Sequence, residues 1–305
     1  MLTLEQRLKM LECPKDRFDL VLDTDAYNEI DDQFAISYAL KANTKINLKA
    51  LYAAPFFNHR SNGPADGMER SYQEILKLLE LSGENVPVYR GSAGYLPNEK
   101  SPVHSAAAEH LVRLARMYTS EQPLYVAAIG AITNVASALL MAPEIADQMV
   151  VIWLGGHALE WPDNAEFNIR QDVAAARVVF DSGAPLVILP CMGVVSAFTT
   201  TGPELDYWLR GKNALCDYLI KNTVDEVNTY AAGRVWSRVI WDVTTIGWLL
   251  NDGGHFMADK LIPTPIPQYD HHYSQSCNRP LCKYVYHINR DALMGDLFKH
   301  ITGEM

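Results

Sequence analysis

The sequence predicts an α/β fold: an open, largely parallel, doubly wound sheet flanked by helices, with a mostly helical C-terminal part. Three observations carry this. Apolar runs of strand length alternate with segments of helical period along the first two thirds of the chain. The runs are nearly continuous in Val, Ile, Leu and Ala, as strands buried on both faces are. The 305 residues, 49% of them hydrophobic, suffice for one large core, and we read a single domain over residues 1–305.

The first strand is expected at 18–22 (Phe18-Asp19-Leu20-Val21-Leu22), followed by runs at 46–53, 86–89, 124–128, 150–154 and 186–189. Helical patterns lie between them. Over 68–81, Met68, Tyr72, Ile75, Leu76 and Leu79 share one face, and Gly83 follows as a stop. Further helices are expected over 33–41 and 173–181, so both sheet faces are covered. Beyond about Gly202 strands become scarce and helical patterns at 213–232 and 291–301 dominate. This half is expected to cap the sheet, and 263–280 reads as a Pro- and His-containing loop.

Composition excludes several classes of partner. Net charge is -10, and the 26 Lys and Arg residues form no run, so a nucleic-acid partner is not expected. The start, Met1 to Lys15, is mixed polar, and no stretch approaches the roughly 18 apolar residues of a membrane span. A soluble, unexported, cytoplasmic protein without a membrane partner is therefore expected. Five scattered cysteines, Cys13, Cys191, Cys216, Cys277 and Cys282, argue against a disulfide framework and against a thiolate zinc site.

Ligands of an open α/β sheet bind outside the carboxyl ends of its strands, and the unusual residues of this chain fall there. Asp23 and Asp25 end the first strand, and residues 55–62 follow the second. Ile129-Gly130 ends the fourth, and Gly155-Gly156-His157 ends the fifth and leads to Glu166 and Asn168. The segment from Asp23 to Asp32 holds five acids in ten residues. A helix N-terminus at Asp31 and Asp32 relieves part of their repulsion. A helix cap uses only one acid, however, and leaves four to explain. Carboxylates with carbonyl oxygens are the ligand set of a hard cation, calcium or magnesium, rather than zinc.

The strand-Asp-x-Asp, the Asp31-Asp32 pair opening a helix, the Gly130-Ala131-Ile132-Thr133-Asn134 turn, Gly155-Gly156 followed by Ala165-Glu166-Phe167-Asn168, and the late Trp241-Asp242 occur in this order. Together they resemble the nucleoside hydrolases, from about Asp19 to Asp242, with a weaker echo from Arg290-Asp291 to Phe298. The resemblance implies a bound Ca2+ held by Asp25, Asp32, Asp242 and the backbone oxygen of Ile129, about five protein oxygens in a shell with room for a water and a sugar diol. It also implies that Asp25 is the general base that deprotonates the calcium-bound water attacking the N-glycosidic bond of a small-molecule nucleoside or riboside. Asp31, Asn58, Glu166 and Asn168 would hold the ribose hydroxyls, and a homo-oligomer, dimer or tetramer, is expected.

The chain departs from that pattern at three places, and further assignments stay open. The stretch from Ala26 to Ile30 is about two residues longer, beside the expected base-binding end. An Asn ahead of the Glu-Phe-Asn segment is replaced, with Glu160 or Asn164 nearby. Trp241 stands where a His often does, as in the purine-preferring branch, and is either a stacking platform for the base or a core aromatic. His157 is either a leaving-group acid or a loop or core histidine. Asn62 competes with Asn58 for the sugar contact, and Glu166 with Asn168 also reads as a capping pair before the helix at 173–181. Two other functions fit parts of the pattern: a haloacid-dehalogenase-like phosphatase, through Asp23-x-Asp25, and a nucleoside- or sugar-binding protein without turnover. Tyr27 speaks against the first, because it occupies the place of a small hydroxyl residue. Retention of Asp25 speaks against the second.

Overall fold

Side chains that alternate across a strand put Leu20 and Leu22 into one apolar layer and Val21 into the other, and none of the three is exposed. Strand Phe18–Thr24 (β1) thus becomes the centre of a two-sided core. In the computed structural model, which describes residues 2–304, β1 is joined in parallel by β2 (Ile46–Ala53), β3 (Val88–Arg90), β4 (Leu124–Ala128), β5 (Met149–Leu154) and β6 (Leu186–Leu189). Met1 and Met305, the ends of the expected 1–305 domain, lie outside the described residues. Each fully buried Leu or Val in these strands contributes at most about 1.5–3 kcal/mol.

Two late strands, β7 (Met257–Pro263) and β8 (Leu281–Ile288), complete an eight-stranded sheet in the order β3-β2-β1-β4-β5-β6-β8-β7. β8 runs parallel to β6 and antiparallel to β7. Helices do dominate beyond Gly202, including Ala214–Ala231 and Arg290–Thr302. The last third nevertheless extends the sheet as well as capping it. These strands escape a search for apolar runs because they are only half buried: Cys282 and Tyr284 face the core while Lys283 and Tyr286 do not. Within the expected loop, Ile266–Pro267 and Tyr273–Ser274 form a short antiparallel ribbon.

The helix expected over 68–81 begins earlier and spans Pro64–Ser82, because Gly63 and Pro64 supply a start that its apolar stripe does not show. Gly83 ends it with φ +70°, the left-handed conformation that glycine adopts without strain. The sheet changes winding direction between β1 and β4, so their carboxyl ends diverge from a common crevice. No helix among the described residues is long and apolar enough to cross a membrane.

Candidate active site

The crevice is built from strand ends. Ile129 N donates to Asp23 O at 2.8 Å and continues the β1–β4 pairing one residue past Ala128, which brings Asp25 beside Gly130. A Cβ on Gly130 would lie 3.0 Å from Asp25 Cγ, so the absence of a side chain there lets the backbone pass close to the carboxylate. Trp153, buried in β5, donates from its indole to Gly130 O at 3.2 Å and holds the same turn from below.

Asp31 and Asp32 open helix Asp31–Lys41, which has no side-chain cap, and Asp242 directly precedes helix Val243–Leu249. The partial positive charge of the first helix end offsets part of the local repulsion. Asp31, Asp32 and Asp242 each offer a carboxylate oxygen, and these oxygens lie within 4.8 Å of one another. Asp25 faces this group with both oxygens buried and, among the described residues, without a hydrogen-bond partner, and Asp31 Oδ1 is in the same condition. Burial pushes the Asp32 carboxyl up to about 7 against a hydrogen bond from Thr24. Burial first, and then the neighbouring carboxylates, hold Asp25 and Asp242 well above the usual range. Such a set of orphaned buried oxygens is the arrangement a hard cation satisfies, so the donors fit calcium or magnesium.

A cavity of about 260 Å³ collects Asp25, Asp31, Asp32, Ile129, His157, Glu166, Asn168, Trp241 and Asp242. Asn168 Nδ2 donates to Ile129 O at 3.3 Å and to Leu154 O at 3.0 Å, tying the ends of β4 and β5 together. Its Oδ1 is left to accept from a ligand. Glu166 caps the short helix Phe167–Gln171 rather than the helix at 173–181, whose cap is Asp172. Its carboxylate accepts from the amides of Gly156 (2.9 Å), Asn168 (2.9 Å) and Ile169 (3.1 Å), so it is both a cap and part of the cavity wall. Asp31 Oδ2 accepts from Trp241 N at 3.1 Å. His157 Nδ1 accepts from Met192 N at 3.3 Å, and burial lowers its pKa.

Asn58 and Asn62 do not line the cavity. Asn58 Nδ2 donates to Asn28 Oδ1 at 2.6 Å, and it is Asn28 that reaches the wall. Asn62 is bound to Asp66 at the start of the following helix. Asn164 is buried and accepts from His157 N at 2.7 Å, bracing the loop from behind, while Glu160 lines a separate depression. Sequence reasoning missed Asn28, Glu29, Cys191 and Met192 on the cavity wall. The last two follow β6, and the strand-end rule that found the others points to them as well. It also missed how Asn134 works: fully buried, it donates to Asp23 Oδ1 (2.8 Å) and Ala53 O (3.4 Å) and accepts from Ser92 N (2.8 Å).

An acid-walled cavity at the switch point of an open α/β sheet, with three carboxylates grouped as metal donors, defines a cation-competent small-molecule site. The chain belongs to the inosine-uridine preferring nucleoside hydrolases, a family of hydrolases acting on N-glycosides, whose model matches residues 20–276. The pyrimidine-specific ribonucleoside hydrolase RihA of Salmonella arizonae is 29% identical over 259 residues, 76% of this chain and 79% of that protein. RihA of Escherichia coli O1:K1 is 30% identical over 184 residues, 52% of this chain, and the match spans only 56% of that relative. The purine-preferring ribonucleoside hydrolase from Gardnerella vaginalis shares the fold, with a TM-score of 0.75 at 20% identity over 93% of this chain and 98% of that one.

Proposed function

We propose that this chain hydrolyses the N-glycosidic bond of ribonucleosides or related N-ribosides with the help of a bound calcium ion. One observation carries the reading: Asp25, buried and with both oxygens unpartnered, lies against the Asp31, Asp32 and Asp242 group at the sheet's switch point. Asp32 and Asp242 would hold the ion, flanked by Asp25 and the Ile129 carbonyl. When bound, a divalent cation supplies the positive charge that makes a water acidic near neutral pH and offers positions for a sugar diol.

Asp25 accepts the proton of the attacking water, a role open to it because no donor among the described residues occupies either oxygen. Asp31 Oδ1 and Asn168 Oδ1 accept from ribose hydroxyls, and their backbone ties to Trp241, Ile129 and Leu154 fix the sugar against the water. Glu166, immobilised by three amides, adds negative potential where the oxocarbenium-like sugar develops its charge. Among the described residues lining the cavity there is no lysine or arginine, which weighs against the phosphatase reading. The same proposal includes a homo-oligomer in the cytoplasm, checked by light scattering and by fractionation. A panel of ribonucleosides assayed for free ribose, with calcium and with chelator, tests the function. Ribose released only with calcium is the expected result, and no release from any riboside overturns the reading.

A further inference from the structure

The cavity has one carboxylate beyond those its proposed chemistry uses. Glu29 lies in the stretch between Asp25 and Asp31, lines the cavity, and is 41% exposed at its side chain. It is outside the grouped metal donors. Arg238 donates to one of its oxygens, and the other has no hydrogen bond among the described residues. The same Arg238 lies 3.9 Å from Asp31 Oδ1, while the Trp241 amide binds Asp31 Oδ2. Asp31 thus links Glu29 to Trp241: Arg238 lies between it and Glu29, the Trp241 backbone binds its other oxygen, and both Glu29 and Trp241 line the cavity. Arg238 is itself not a cavity-lining residue, being 14% exposed and shared with Glu226 at 3.6 Å. The cavity lining thus includes an aromatic residue and a carboxylate, both tied to Asp31, groups of the kind that recognise a flat cation.

A second feature points the same way. A neutral purine or pyrimidine leaves as an anion unless it is protonated, so its departure calls for an acid. Trp241 has no proton to give near neutral pH. His157 uses Nδ1 as an acceptor from the Met192 amide, which fixes it as the neutral ring, a weak acid. With neither Trp241 nor His157 set to donate a proton, the cavity suits a leaving group that needs none.

We propose that this site is selective for N-ribosides whose aglycone is a quaternised heteroaromatic cation of the pyridinium type, with Glu29 as the specificity-determining residue. The inference rests on the N-ribohydrolase reading and specifies its substrate class. In the reaction, water oxygen bonds to C1′ and gives one proton to Asp25, the C1′–N bond breaks, and its electron pair returns to the ring nitrogen. The products are ribose, a neutral pyridine and one proton; no oxidant or second co-reactant is needed.

Three ribosides separate the two arguments: N-ribosylpyridinium (cationic, no acid needed), nitrophenyl riboside (neutral, no acid needed) and inosine (neutral, acid needed). With calcium present, kcat/KM for N-ribosylpyridinium is expected to exceed that for inosine by about tenfold or more, with KM rising as salt is added. Glu29→Gln is expected to lower kcat/KM on N-ribosylpyridinium about tenfold more than on nitrophenyl riboside. Calorimetric titration with N-methylpyridinium, which has the charge but no glycosidic bond, should show weaker binding to Glu29→Gln than to the parent protein. Inosine used as well as the cation, or equal losses on all three ribosides in Glu29→Gln, overturns this proposal and leaves the ribohydrolase reading standing. Turnover of none of the three overturns both.

Discussion

Replacement of Asn134 by alanine tests how the site is braced. Asn134 connects three strand ends: it donates to Asp23 on β1 and Ala53 O on β2, and accepts from Ser92 just past β3. Asp23 is fully buried, its Oδ2 has no partner, and burial already pushes its carboxyl up to about 7 against the Asn134 hydrogen bond. Asn134→Ala strips the remaining bond from Asp23 and orphans the Ser92 amide, two buried groups at about 1–3 kcal/mol each, so about 4 kcal/mol of stability should be lost. An unfolding entropy of about 2.1 cal/mol/K per residue over 305 residues converts this to a drop in Tm of about 6 °C. Urea unfolding followed by tryptophan fluorescence reads the energy, and calorimetry the temperature. Asp23→Ala in the Asn134→Ala background should cost less than the two single losses combined, because an absent pair leaves no orphan. A loss below about 1 kcal/mol for Asn134→Ala, or strict additivity in the double variant, would refute the clamp. Gly91→Ala probes it from outside, since a Cβ there would sit 2.0 Å from Ala53 O and 2.4 Å from Asn134 Nδ2.

The remaining predictions concern the proposed chemistry. Asp25→Asn should reduce turnover by about 10²–10⁴-fold or more with the circular dichroism spectrum kept; retained activity would remove Asp25 from the role of base. Calcium at about 100 times its Kd should stabilise the protein by about 2.7 kcal/mol, near 4 °C in Tm by the same entropy, and an unmoved Tm would count against the cation site. In chelated protein Asp23 and Asp32 have folded values of about 7, raised above the unfolded carboxyl, so the folded state binds more protons. Their contribution is full below about pH 4 and is lost as pH rises to about 7, and stabilisation by calcium should grow over that window; a flat chelated profile would contradict the assignment. Trp241→Ala should lose about 10- to 100-fold in turnover on purine nucleosides and less on nitrophenyl riboside, while equal losses on both would make Trp241 a packing residue.

Local sequence carried most of the sheet and much of the candidate site. β4, β5 and β6 are legible because they are buried throughout and so must be apolar, and β1 and β2 because most of their residues are; the half-buried edge strand β3 lies at Val88–Arg90, two residues later at its start than the apolar run at 86–89. Asp25, Asp31, Asp32, Ile129, Glu166 and Asn168 are legible because they stand at or just past strand ends, where such sheets open to ligands. Their order along the chain carried the resemblance to the nucleoside hydrolases, and the match over residues 20–276 establishes that family.

Other features depend on contacts between distant segments. β7 and β8 have mixed composition because one face meets solvent, and only their pairing beside β6 makes them part of the sheet. Asn58 and Asn28, thirty positions apart, look equally polar in sequence; folding puts Asn28 on the cavity wall and Asn58 behind it as its donor. Glu29 reads as one acid in a crowd until Arg238, 209 residues later, binds one of its oxygens at the cavity wall. The sequence by itself determined the strands, the acid cluster and the strand ends where ligands gather, since these follow from local burial pattern and charge density. Which carboxylates group as cation donors, which are braced and which remain open was decided by tertiary structure, because a side chain's partners are set by what packs against it.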